Sequence, residues 1–291
     1  MAKFDFTLSQ ILSWTVLAAI VTTIGNLIAT VLKEALFTRS FEKWKARQQL
    51  HQVYLKLRDP LLLATLELIK RTNEITSQSK VNFLEKSLLQ SSPLSMTKNS
   101  ADDPYYQRYK FVSTIYRLCS WLGWVELYRQ EVAFLDSGHQ RTNAEFEQHV
   151  EAIRSSLADG HLNDADDLLK WTDSLIFREE QRAIGESMID PIKRTVIGYG
   201  SFYEKFIENS SPRNPWIDVA TNWLTDLKSV SDSKVHDFRR ARCLLLINHG
   251  VSLIKCLNKS RVEPRLMELQ NQVKAELKRL PVLDTALSKE S

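Results

Sequence analysis

The sequence contains little glycine, proline or cysteine, and these shortages exclude several classes of protein. Its 291 residues include 8 glycines and 8 prolines, and 43% are hydrophobic, so neither a collagen-like nor a disordered chain fits. Cys119, Cys243 and Cys256 are odd in number and widely spaced, which excludes a disulfide framework and favours a reducing compartment. The length allows one ordinary domain or two small ones with a sizeable buried core.

Familiar motifs of catalysis, phosphate binding and metal binding are also missing from the sequence. There is no Gly-x-Ser-x-Gly elbow, no Gly-x-x-x-x-Gly-Lys-Ser/Thr loop and no cysteine pair with zinc-finger spacing. Glu145 and His149 are four residues apart, but without a Glu-x-x-His or His-Glu-x-x-His pattern they predict a solvated acidic helix face. We therefore predict no cofactor, and an enzyme is the less favoured class.

The sequence does contain a long apolar run near its N-terminus. Residues 6–32 carry no charge, and the 22 residues from Ile11 to Leu32 span about 33 Å as a helix, against roughly 30 Å of bilayer hydrocarbon. A secretory signal peptide has a shorter apolar region of about 7–15 residues and a small-residue cleavage site. Because the run continues into Lys33-Glu34-Ala35-Leu36-Phe37, we expect residues 1–36 to be a retained membrane anchor, with a buried core helix as the alternative.

Basic residues are concentrated on the C-terminal side of this run. They are Lys33, Arg39, Lys43, Lys45 and Arg47, whereas on the N-terminal side Lys3 is offset by Asp5. Lysine and arginine resist translocation, so we expect the N-terminus outside and the large C-terminal part in the cytosol. The same five residues are positioned to contact anionic lipid headgroups.

Small residues form a seam along the predicted transmembrane helix. Ala18, Thr22, Gly25 and Ala29 recur at spacings of 4, 3 and 4, which places them within about 60° of arc. Small side chains let helix backbones approach closely, and Asn26 beside the seam is able to hydrogen-bond across it. Self-association in the membrane is one interpretation; the other is that small residues are simply common in such helices.

The rest of the sequence predicts an all-α fold, in which the transmembrane helix is followed by a cytosolic multi-helix bundle. Residues 37–75 predict basic juxtamembrane helices with a break at Asp59-Pro60, residues 76–103 a polar linker with a short helix near 82–89, and residues 104–291 the bundle domain. Helices are expected in the bundle at about 104–135, 143–157, 163–177 continuing or restarting through 188, 201–208, 216–227, 233–257 and 264–280. Phe111–Val125 and Cys243–Ile254 are too short to span a bilayer and predict core helices.

Charge is distributed unevenly along the bundle. Residues 141–190 carry twelve acidic against five basic residues, and residues 229–291 carry twelve basic against seven acidic residues. We favour complementary helix faces within one bundle over separate surfaces for partners.

The helix around Arg178 carries several charges and predicts either a ligand-binding polar cleft or a structural ion-pair network. The candidates are Arg117, Glu126, Arg178, Glu179 and Arg182. If this helix is central, its charges must be paired, because an unpaired buried ion is very costly. Glu126 is the expected partner of either Arg178 or Arg182.

The favoured interpretation is a single-pass, membrane-anchored protein-interaction or scaffold module at the cytosolic membrane face, with lipids and an unidentified protein as partners. Arg239, Arg240 and Arg242 match no groove-reading motif, so nucleic acid is an unfavoured partner. The alternatives are a membrane-acting effector that oligomerises through its transmembrane helix, and a membrane-tethered enzyme whose site has no recognisable motif.

Overall fold

The computed structural model describes residues 8–33, 39–77, 82–90, 103–133, 141–159, 174–208, 214–227, 238–258 and 262–279. The chain divides into two compact units, Met1–Gln52 with Leu135–Gly138, and Val53–Phe134 with His139–Ser291. The helices are α1 (Leu8–Leu32), α2 (Arg39–Ser77), α3 (Ser87–Gln90), α4 (Pro104–Ala133), α5 (Arg141–Ala158), α6 (Arg178–Ser187), α7 (Tyr199–Tyr203), α8 (Pro215–Leu224), α9 (Phe238–Leu257) and α10 (Pro264–Leu277).

Short irregular elements complete the described chain. A 3₁₀ turn at Asn82–Leu84 precedes α3, and a π-helical turn at Glu204–Glu208 follows α7. Strands β1 (Ile189–Asp190) and β2 (Thr195–Val196) form an antiparallel hairpin with Ile189 opposite Val196. The described part is thus nearly all helical, as predicted, apart from this hairpin, which is too short to produce a visible alternation in the sequence.

The N-terminal helix α1 is exposed along its apolar length. Among the described residues it is the one helix that is long and apolar enough, by length and composition, to cross a bilayer. All 18 residues from Trp14 to Val31 are exposed, so α1 is not a core helix of the described chain. Later in the same unit, Phe41 and Trp44 of α2 are exposed and stack with their ring centroids 5.8 Å apart.

Helix α2 is a single helix of 39 residues with Pro60 in its interior, so the break predicted there is wrong. Proline removes one backbone hydrogen bond and crowds the preceding turn, which costs about 3 kcal/mol in a helix interior. The burial of apolar side chains before and after Pro60 offsets this cost, since Leu57 and Leu61 are 3% and 1% exposed. The Arg58 guanidinium also donates to the Leu257 carbonyl oxygen at 2.7 Å, which holds this part of α2 against the end of α9.

Helix α4 carries much of the core of the second unit. Phe111, Ile115 and Trp121 are fully buried, and the Trp121 indole donates to the Thr65 hydroxyl of α2 at 3.0 Å. Helix α4 packs against α6 and α8, and α9 packs against α10. The two apolar stretches of α4 and α9 are largely buried, which confirms that they are core helices. Burial of Cys119 raises the pKa of its thiol, as expected for a core cysteine.

The oppositely charged segments of the bundle lie together, because α5 of the acidic segment packs against α9 of the basic one. Arg242 of α9 donates there to backbone carbonyl oxygens and not to acidic side chains, so complementary charge between the two helix faces stays a prediction.

Part of the predicted polar linker belongs to the core. Phe83 and Leu84 are 2% and 0% exposed, and the Lys110 ammonium of α4 lies 4.2 Å from the centre of the Phe83 ring. The Asp226 amide donates to the Leu84 carbonyl at 2.9 Å, and the Lys86 amide donates to the Asp226 carboxylate at 3.2 Å. The short helical segment expected near residues 82–89 is present, while residues 78–81 and 91–102 lie outside the described ranges.

Candidate functional site

Arg117 and Glu126 project from opposite sides of α4. They are nine residues apart, which is about half a turn away in direction at roughly 100° per residue. The Arg117 Nε lies 4.0 Å from the Glu67 carboxylate of α2, whereas Glu126 is buried on the side where Gly185 of α6 approaches α4. The five predicted cleft residues therefore do not form one cluster.

Glu126 is paired within its own helix. Its carboxylate accepts hydrogen bonds from Arg129 at 2.6 and 2.8 Å and from Gln130 at 3.1 Å. The hydrogen bonds from Arg129 to Glu126 raise the pKa of the Arg129 guanidinium. The predicted pairing of Glu126 with Arg178 or Arg182 is therefore wrong, because a residue three positions along the same helix is in closer reach.

Arg178 lies at the start of α6 and contacts α5. Its guanidinium donates to the Glu151 carboxylate and, at 2.8 Å, to the Ser155 hydroxyl. Glu179 and Arg182 of the same helix are exposed. The charges of α6 are thus divided between an ion pair with α5 and an exposed face.

Arg154 of α5 completes the network between α5 and α6. Its Nε donates to the Gln181 side-chain oxygen at 3.3 Å, and the Gln181 amide nitrogen donates to the carbonyl oxygens of Arg154 at 3.0 Å and Ile176 at 2.9 Å. Burial lowers the pKa of Arg154, and the nearby Arg178 acts in the same direction. These contacts connect α5 to α6, and of the five residues predicted for a polar cleft or an ion-pair network Arg178 takes part in them. The contact of Arg154 with α6 was not predicted, because helical spacing in the sequence does not show which helices pack together.

A carboxylate, an imidazole and a thiol meet where α5 packs against the end of α9. Glu145 and His149 lie on one face of α5, Cys256 comes from the last turn of α9, and their potential ligand atoms all lie within 4.8 Å of one another. Tyr54 of α2 lies beside them, and burial together with the neighbouring Cys256 raises the pKa of its hydroxyl. The four-residue spacing of Glu145 and His149 is visible in the sequence, but it predicted a solvated acidic helix face, and nothing in the sequence places Cys256 next to them.

Comparisons with family models, with curated proteins and with solved structures find no match. No site or activity is therefore carried over from another protein.

The three arginines at the start of α9 form hydrogen bonds or an ion pair within the second unit. Arg239 donates to the carbonyl oxygens of Trp223 at 2.9 Å and Thr225 at 2.8 Å. Arg240 pairs with Glu276 of α10 at 2.9 Å. Arg242 is fully buried and donates to the carbonyl oxygens of Ser156 at 3.0 Å and Asp159 at 2.8 Å. Their side chains stabilise helix ends and helix pairs of the second unit.

The residues predicted to contact lipid lie around the start of α2. Lys33 and Lys45 are exposed. Arg39, Lys43 and Arg47 lie on the backbone of α2, and their side chains are outside the described part of the structure.

The predicted seam lies on the exposed surface of α1. Thr22 donates its hydroxyl to the Ala18 carbonyl at 2.7 Å, so this polar group is hydrogen-bonded within the helix. A Cβ atom built on Gly25 meets no atom within 4 Å. Ala29 and Asn26 are also exposed. This surface therefore leaves room for a second helix backbone to approach.

Proposed function

We propose that this protein is a single-pass membrane protein whose N-terminal helix holds an all-α unit at the cytosolic membrane face, where that unit serves as a protein-interaction or scaffold module. The observation that carries the proposal is the exposure of the whole apolar surface of α1 from Trp14 to Val31. Apolar surface of this extent is stable in a bilayer and very unfavourable in water.

The residues that follow α1 support both the anchor and its orientation. Lys33 and Lys45 are exposed basic residues, which favour anionic headgroups by about 1 kcal/mol each near the membrane surface. The exposed pair of Phe41 and Trp44 is typical of aromatic residues that sit at the level of the headgroups. A cytosolic location of the second unit agrees with its buried free cysteines.

The charged groups of α4 and α6 support an interaction role, because Glu126 and Arg178 bind residues of their own or a neighbouring helix. Glu126 pairs with Arg129, and Arg178 pairs with Glu151. These groups stabilise contacts within and between helices, whereas a catalytic cleft requires ionisable groups that converge on a substrate. The exposed charges of α6, Glu179 and Arg182, are then available at the surface to a protein partner.

The anchor and its orientation are tested with the full-length chain in sealed microsomes. We expect the uncleaved chain to resist alkaline carbonate extraction, and a variant without residues 1–36 to be released. A glycosylation acceptor in an N-terminal extension should be modified, and one at the C-terminus should remain unmodified. Removal of the N-terminal segment by signal peptidase would contradict the anchor, and modification only of the C-terminal acceptor would contradict the orientation.

Two charge variants, one beside α1 and one distant from it, test why the chain takes this orientation. Glutamine at the five juxtamembrane positions Lys33, Arg39, Lys43, Lys45 and Arg47 should lower the fraction of chains with the N-terminus outside. Glutamine at the exposed α10 positions Arg265 and Lys274 and at the following Lys278 and Arg279 should leave that fraction unchanged, because these positions are far along the chain from α1.

The interaction role is tested by native mass spectrometry of the full-length protein purified in mild detergent. A stoichiometric protein partner, retained by the complete chain, is the expected result. A monomer that carries only a small organic molecule would contradict the scaffold role and favour the enzyme.

A further inference from the structure

We propose that Glu145, His149 and Cys256 form a binding site for one divalent transition-metal ion of the zinc class. The site belongs to the second unit and does not depend on the membrane anchor. Within the described ranges this is the one group of three histidine, cysteine, aspartate or glutamate side chains whose ligand atoms lie close enough together for an ion.

The local structure brings the three ligands together from two helices. Glu145 and His149 are four residues apart on α5, a spacing that places both side chains on the same helix face. Cys256 is in the last turn of α9, and α9 packs directly against α5. Nearby, the guanidinium of Arg58 donates to the carbonyl of Leu257, the residue after Cys256, so the end of α9 is fixed by α2.

The solvent exposure of the three ligands increases from the inner end of the site to its outer end, which gives an ion a way in. Cys256 is buried at 8% exposure, His149 is half-buried and Glu145 is exposed. The thiolate therefore lies at the inner end of the site, where low solvent access strengthens its bond to a cation. The exposed carboxylate leaves a path from solvent.

The ligand types select the class of metal. A thiolate, an imidazole and a carboxylate are the three ligand types that zinc takes in proteins, whereas calcium and magnesium take oxygen ligands. The combination of sulfur, nitrogen and oxygen therefore favours a borderline-soft ion. Three protein ligands leave a fourth tetrahedral position for water.

The observed separations are close to those that zinc needs. Bonds of about 2.0–2.3 Å in a tetrahedron place ligand atoms roughly 3.3–3.8 Å apart. Separations within 4.8 Å therefore require a side-chain movement of roughly 1 Å. The exposed Glu145 is free to supply it by changing rotamer, since exposed side chains reorient on a picosecond to nanosecond scale. A bound ion would then connect α5 to α9.

The experiment is a titration of the chelator-treated, full-length protein in detergent with Co²⁺, followed by Zn²⁺. We expect one equivalent of Co²⁺ to produce a thiolate-to-cobalt charge-transfer band and the intense visible bands of tetrahedral cobalt, and Zn²⁺ to remove both. Zn²⁺ should also raise the melting temperature, because an ion that binds only the folded state stabilises it.

Two ligand variants and one matched control complete the test. Cys256→Ser should abolish the charge-transfer band. His149→Gln should weaken Co²⁺ binding by more than the roughly 10–100-fold that loss of an outer-shell partner causes. Cys243→Ser, which removes a buried thiol from the same helix but outside the site, should bind like the unmodified protein.

Circular dichroism first establishes that each variant is folded. If Cys256→Ser does not fold, the half-exposed His149 provides the decisive variant. The proposal is overturned if the unmodified protein produces no thiolate-to-cobalt band. It is also overturned if the folded His149→Gln variant binds Co²⁺ as tightly as the unmodified protein binds it. Neither result bears on membrane attachment.

Discussion

Arg242 is a fully buried cation that closes the end of a neighbouring helix. Its two terminal nitrogens donate to the carbonyl oxygens of Ser156, in the last turn of α5, and of Asp159, which directly follows α5. Carbonyls at a helix C-terminus have no partner within the helix and carry partial negative charge, so a cation there is favourable. Burial nevertheless lowers the pKa of Arg242 to about 10, which means that its charge also carries a desolvation cost.

We predict that Arg242→Ala lowers the free energy of unfolding by about 3–5 kcal/mol, because it leaves a cavity and removes the hydrogen bond to the buried Ser156 carbonyl oxygen. Arg242→Met should lose less, since it fills the volume and avoids the desolvation of the guanidinium. Arg240→Ala is the control and should cost under about 1 kcal/mol, because the Arg240–Glu276 pair is partly exposed. Urea unfolding followed by tryptophan fluorescence measures all three. Equal losses for Arg242→Ala and Arg240→Ala would exclude the capping role.

At the scale of elements, α6 approaches α4 closely at Gly185. A Cβ atom on this glycine would lie 2.7 Å from the Leu122 carbonyl oxygen and 2.8 Å from the Glu126 Cβ. Both atoms are held by the backbone of α4, so they are unable to move aside. The absence of a side chain at residue 185 therefore sets the distance between the two helices.

We predict that Gly185→Ala lowers the free energy of unfolding by about 1–3 kcal/mol, even though alanine favours a helix by about 1 kcal/mol over glycine. Gly250→Ala should cost less, because its Cβ would meet the Ile69 side chain at 2.8 Å, and side-chain atoms are able to shift. Gly200→Ala is the control, with no atom within 4 Å of its Cβ, and should be neutral or stabilising. Denaturant midpoints test the order, which is contradicted if Gly185→Ala is the mildest change.

Proline shows how far the elements could be predicted from local sequence. Pro104, Pro215 and Pro264 each occupy the first position of a helix, and two of these helix starts were predicted at the proline itself. Pro60 carries the same signal but lies inside α2, because Leu57 and Leu61 are buried on both sides of it. Proline therefore predicted the start of a helix correctly where tertiary packing did not extend the helix through it.

At the scale of the whole molecule, the candidate sites were only half predictable. Glu145 and His149 were predicted to share a helix face, because four-residue spacing is visible in the sequence, but they were assigned to a solvated acidic face and not to a site. Cys256 and Arg154 were not found as partners, because they come from helices whose pairing is set by tertiary packing. The pairing of Glu126 was mispredicted for the same reason. Helix periodicity identifies which residues share a face but not which faces meet.

We expect the association state of the whole protein to depend on whether the predicted seam of α1 meets a second copy. The seam residues Ala18, Thr22, Gly25 and Ala29 are exposed on one face of the helix. A larger side chain on the seam would hold two helix backbones apart. The same side chain a quarter-turn around the helix would not. The same substitution of alanine by leucine makes this comparison at Ala29, which lies on the seam, and at Ala19, which lies beside it.

We predict that Ala29→Leu lowers self-association of the full-length protein in bilayers by about 10-fold, as expected when a contact worth about 1–2 kcal/mol is lost. Ala19→Leu should leave self-association unchanged, because residue 19 lies roughly 90° from the centre of the seam. Energy transfer between labelled copies, measured over a range of protein-to-lipid ratios, gives the dimer fraction of each variant. If Ala29→Leu and Ala19→Leu associate equally, the small residues of α1 only reflect the composition of membrane helices. A selective loss in Ala29→Leu would mean that the anchor also brings two copies of the helical unit together.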